Sequence, residues 1–72
     1  MKINPKMCRH ILGLSQREMA VLAGVQIRAL QKWESKGDAP TKQAQIISAL
    51  LFINSRGLLN DFREYLSEIR SS

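Results

Sequence analysis

Arg28, Gln31 and Lys32 recur at three- and four-residue intervals and so share one side of any helix that carries them. An arginine in such a place offers a fork of donors that matches guanine O6 and N7. A glutamine or lysine can read a base edge or merely hold a phosphate. The alternatives for Arg28 are a phosphate contact or plain solvation. Little else in the chain could do chemistry. Its single His, His10, lies two residues from its single Cys, Cys8, and two ligands do not close a zinc site. Paired carboxylates and phosphate-cradling glycine loops are missing, so no catalytic constellation can be named. The expectation is a non-enzyme without cofactor, metal or small-molecule ligand.

The charge pattern points the same way. Residues 1–42 hold eight Lys or Arg against three acids, and residues 43–72 hold three against three, so the whole net charge of +5 sits in the first part. A polyanion is a natural partner for that part; generic solubility charge is the plainer reading. One cysteine excludes an intrachain disulfide and suits the cytosol. Pro5 and Lys6 interrupt the start where a signal peptide needs an apolar run. The longest apolar cluster, 49–53, is far short of the ~20 residues of a membrane span. Seventy-two residues predict one domain, 1–72.

Five helices must position these side chains, and no strand pattern is present. Asn4 and Pro5 open the first, Pro5 to Leu12, which Gly13 ends. Met7, Ile11 and Cys8 give it an inward face at helical spacing. Ser15 and Glu18 match a capping box at the start of the second, with Leu14 and Met19 placed as a hydrophobic staple. Met19, Ala20 and Ala23 face inward, and Gly24 stops this helix. The third runs from about Gln26 to Ser35, held by Leu30 and Trp33, with Val25 at the turn. A fourth, about Lys42 to Ile53, is capped by Thr41 and buries Ala44, Ile47, Leu50 and Leu51. A turn at Asn54–Gly57 leads to a fifth, about Leu58 to Arg70. Its stripe is Leu58, Leu59, Phe62, Leu66 and Ile69, with Tyr65 beside it.

Two short helices joined by a glycine-containing turn form a helix-turn-helix signature. Ala20 and Ala23 let the helices cross closely, and Leu30 and Trp33 anchor the second, so that its opposite face is available to a DNA groove. The stretch Leu14-Ser15-Gln16-Arg17-Glu18-Met19-Ala20-Val21-Leu22-Ala23-Gly24-Val25, with Leu30, Trp33-Glu34, Gly37 and Pro40, resembles the lambda repressor/Cro-type (XRE) helix-turn-helix family over residues 5–53. That resemblance implies an all-α, five-helix, lambda-repressor-like domain that binds double-stranded DNA. It also implies a homodimer on a two-fold operator.

Carried over position by position, the resemblance gives Gln16 a phosphate contact at a helix N-terminus, where anions are favoured. It assigns base edges to Ile27, Arg28 and Lys32, with Gln31 on the same face. It also makes Arg9 and Glu34 a partly buried salt bridge, whereas Arg9 read by itself is another DNA-facing charge. Arg17, Gln26, Lys36 and Lys42 are expected on phosphates, which position a protein without specifying sequence; surface charge is their plainer role. The chain departs from the family pattern at Gln26, a weaker cap than Ser or Thr, and at Ile27, which suits a thymine methyl rather than a polar base edge.

The fifth helix either closes the chain's own core or forms a two-fold contact through Leu58, Leu59, Phe62, Tyr65, Leu66 and Ile69. The expected function is a transcriptional repressor in the cytoplasm of a prokaryote or phage-infected cell. It would be autoregulatory, as in minimal relatives of phages and mobile elements such as anti-CRISPR-associated regulators. With no room for a sensing domain, control by concentration or by a partner protein is expected. The competing expectation is an antitoxin-like protein-interaction module, served by the neutral second part.

Overall fold

In the computed structural model, which describes residues 4–71, the local signals resolve into five helices in sequence order. They are α1 (Pro5–Leu12), α2 (Gln16–Ala23), α3 (Ile27–Lys36), α4 (Thr41–Ser55) and α5 (Leu59–Ser71). Lys2, one of the basic residues counted above, lies outside the described residues. Asn4 Oδ1 accepts the Met7 amide at 3.1 Å, and Pro5 fills the first helical position of α1. At α2 the capping box is complete: Ser15 Oγ accepts the Glu18 amide at 3.1 Å, and Glu18 Oε1 accepts the Ser15 amide at 2.9 Å. Leu14 and Met19 flank that cap and are both buried.

Gly24, Val25 and Gln26 connect α2 to α3. Gly24 has φ +70°, the left-handed conformation that L side chains resist, and the reversal lets the Val25 amide donate to the Ala20 carbonyl at 3.0 Å. Ala20 and Ala23 are buried where the two helices meet. Helix α1 packs on α3 and α4, α2 on α3 and α4, and α4 on α5. The core lies among Cys8, Leu12, Met19, Leu30, Ile47 and Leu50, with Trp33, Leu51 and Phe62 half-buried against it.

Three expectations from the sequence are corrected. Met7 and Ile11 face solvent, 62% and 60% exposed, whereas Pro5, Cys8 and Leu12 turn inward. The α1 sequence holds two apolar stripes on different sides of the helix, and the one turned inward packs Cys8 and Leu12 into the core, with Arg9 on the same side reaching a partner on α3. Thr41 is the first residue of α4 rather than its cap; Pro40 occupies the cap position and accepts the Ala44 amide through its carbonyl at 2.8 Å. Helix α4 also continues through Asn54 and Ser55, so the turn begins at Arg56.

The stripe on α5 divides. Leu59 is buried and Phe62 is half-buried against the same core, so these two of the residues expected in a two-fold contact are used by the chain itself. Leu58, Tyr65 and Ile69 are 49%, 59% and 51% exposed. No helix among the described residues is long and apolar enough to cross a membrane.

Candidate nucleic-acid interface

Helix α3 has one buried side chain, Leu30, at the centre of its inner side, with Trp33 half-buried a turn later. Leu30 and Trp33 set the rotation of the helix about its own axis. That rotation turns Ile27, Arg28, Gln31, Lys32, Ser35 and Lys36 to solvent, and all six are exposed. The four residues expected to reach base edges therefore lie together on one open face, with Lys36 at its end. Gln26 precedes the helix, exposed, and makes no side-chain cap. Lys42 stands in the first turn of a different helix, α4.

A hydrogen-bonded chain ties this face to the rest of the fold. Arg9 of α1 grips Glu34 of α3 through both carboxylate oxygens, Nε to Oε2 at 2.7 Å and Nη2 to Oε1 at 3.1 Å. Its Nη1 donates to the Leu14 carbonyl at 3.1 Å, which joins the α1–α2 turn to the same fork. Two parallel bonds fix a guanidinium and a carboxylate in one plane, which a lysine could not do. Gln16 Nε2, on the first turn of α2, donates to Glu34 Oε1 at 3.1 Å. Its Oε1 in turn accepts from Gln31 Nε2 at 3.3 Å. The Gln16 amide retains a second N–H for another acceptor. A side chain expected to touch only a phosphate thus also braces a base-reading candidate.

Burial alone would push the Glu34 carboxyl up, yet the hydrogen bonds from Arg9 and Gln16 outweigh it and hold the group below the usual carboxylate range. The same fork raises Arg9 above the ordinary arginine value. Glu34 is thus a fixed anion between three helices. Cys8 is buried, and burial pushes its thiol up, so it stays a protonated apolar filler.

Arg17, exposed on the first turn of α2, belongs to another neighbourhood as well. It lines a cleft between α2 and α5 with Glu18, Val21 and Arg63. Arg63 Nη2 meets Glu18 Oε2 at 2.8 Å, and Arg70 Nη2 donates to the Val21 carbonyl at 3.4 Å. Reading the sequence missed both contacts. Arg63 and Arg70 do sit seven apart on one flank of α5, but nothing local ties them to residues more than forty positions earlier. The Gln16–Gln31 bond escaped for the same reason. Among the described residues no three His, Cys, Asp or Glu side chains gather as metal ligands would. No family model, curated protein or solved structure matches the chain.

Proposed function

We propose that this all-α, five-helix domain is a sequence-specific DNA-binding repressor of the lambda repressor/Cro type, with α3 lying in the major groove. One observation carries the reading. The side of α3 opposite Leu30 is open along its length and holds Ile27, Arg28, Gln31 and Lys32, while Arg9, Glu34 and Gln16 brace it from behind. A rigid helix with a polar, cationic, unobstructed side is what direct reading of base edges needs. Arg28 is assigned to a guanine and Ile27 to a thymine methyl, with Gln31 and Lys32 on neighbouring bases. Gln16, Arg17, Gln26, Lys36 and Lys42 are assigned to phosphates. Leu58, Tyr65 and Ile69 supply the exposed apolar ridge for a homodimer, which would set two α3 helices about one DNA turn, ~34 Å, apart.

Selection of bound duplexes from a random pool tests this directly. The expected product is an inverted repeat whose half-sites are centred about 10 base pairs apart, bound with an affinity that falls steeply as salt rises. A pool that yields no enriched sequence, or binding indifferent to salt, refutes it.

A further inference from the structure

The cleft between α2 and α5 mixes apolar and cationic side chains. Its volume is about 380 Å³, and its lining combines the apolar Val21, Leu22 and Leu66 with Arg17, Arg63 and Arg70 against the single carboxylate of Glu18. Val21 is 44% exposed there, because α5 is joined to α2 by long side chains rather than by close packing. The two straps are weak ones. The Arg63–Glu18 pair is about two-fifths exposed on both sides, at 41% and 42%, and the Arg70 bond to the Val21 carbonyl is long at 3.4 Å. Both arginines can exchange these partners for a stronger anion at little cost.

We propose that this cleft is the docking site for an acidic, amphipathic helical segment of another protein, with apolar side chains seated on Val21, Leu22 and Leu66 and carboxylates on Arg17 and Arg70. The occupant follows from charge complementarity: with Arg63 paired to Glu18, the guanidinium groups of Arg17 and Arg70 beside Val21, Leu22 and Leu66 select an apolar ridge flanked by Asp or Glu. A second copy of this chain is a poorer fit. Its only acidic helix face is on α5, where Asp61, Glu64 and Glu68 lie at roughly the opposite flank from Arg63 and Arg70 at ~100° per residue. An acidic flank placed in a neighbour's cleft leaves its own cleft open on the far side. Such a contact joins two different surfaces, and it closes only where the rotation between copies completes a ring. Because Arg17 is shared, an occupied cleft withholds it from a phosphate; that consequence alone rests on the DNA-binding reading.

The test is an amide-resonance titration of the full chain with a synthetic helix that carries leucines at i, i+3, i+4 and i+7 and glutamates on the flanks. A scrambled peptide of the same composition is the control. The expected result is saturable shifts at Arg17, Val21, Leu22, Leu66 and Arg70 that the scrambled peptide does not produce. Val21→Glu or Arg70→Glu each weakens binding by about tenfold, since each turns an attraction into a repulsion. Both positions are exposed, and a helical circular dichroism spectrum checks that each variant folds. Shifts outside the cleft, none at all, or equal binding of the scrambled peptide overturn the proposal. So do resonances on the α2 side of the cleft, Arg17, Val21 and Leu22, that move with protein concentration alone, which would make a second copy the occupant. The probe contains no nucleic acid, so its outcome stands whether or not any duplex binds.

Discussion

Replacing Arg9 by methionine keeps the stem of the side chain and removes only the guanidinium, which isolates the fork on Glu34. In the native chain the Arg9 side chain is 14% exposed and that of Glu34 5%, with bonds of 2.7 and 3.1 Å between them. In Arg9→Met the carboxylate stays enclosed with Gln16 as its remaining donor. Breaking one partner of a buried pair costs ~3–5 kcal/mol. Because Arg9 keeps some contact with water, the lower end applies, about 3 kcal/mol. A domain of this length has roughly 4–11 kcal/mol of stability in all. The expected fall in Tm is therefore about 12–24 °C.

The loss should depend on pH in a defined direction. Native Glu34 lies below its unfolded value, so its contribution is complete above the ordinary carboxylate range and disappears as pH falls through the lowered folded value. In Arg9→Met the burial that opposes ionisation is no longer offset by the guanidinium, and protonation relieves it. The gap between the two proteins should narrow as the solution is acidified below the carboxylate range. Adding Glu34→Gln to Arg9→Met should recover part of the loss. Thermal unfolding of the native chain, both single variants and the double variant, followed by circular dichroism at several pH values, measures all of this. Single losses that simply add, or an Arg9→Met loss under about 1 kcal/mol that ignores pH, would refute the account of a desolvated, coupled pair.

Other consequences are smaller in scope. Gly24→Ala meets no atom within 4 Å but must hold φ +70°, so thermal unfolding should show a loss of about 1 kcal/mol, with asparagine costing less than alanine. Leu59→Ala should cost ~2–4 kcal/mol as a core truncation. Tyr65→Ala should leave the monomer's unfolding within about 0.5 kcal/mol and instead reduce dimer in sedimentation, because Leu59 is 9% exposed and Tyr65 59%. Arg28→Ala should remove about 1–3 kcal/mol of discrimination between the selected duplex and random duplex; equal losses on both would make it a phosphate contact. Met7→Lys should leave stability within about 0.5 kcal/mol, since Met7 is 62% exposed.

Much of what is decided within a turn of the backbone could be read from the residues themselves, although both ends of α4 were misplaced, at Thr41 and at Asn54. Asn4 and Pro5, the Ser15–Glu18 box, and the glycines after Leu12 and Ala23 set where α1 and α2 begin and end, because their partners lie three to five positions away. The anchoring of α3 was equally legible, since Leu30 and Trp33 give it one narrow apolar side and leave no second choice of rotation. Where a helix held two apolar sides, the sequence could not choose between them. On α1 the contest between Met7 with Ile11 and Cys8 with Leu12 was settled by packing on α3 and α4, where Arg9 also meets Glu34, twenty-five positions on. On α5 the stripe was visible, but only contact with α4 and the core separated Leu59 and Phe62 from Leu58 and Tyr65. The Gln16–Gln31 bond and the α2–α5 cleft belong to that second class. A helix's ends depend on local hydrogen bonds, whereas its rotation and its ion-pair partners depend on distant side chains that share no periodicity with it.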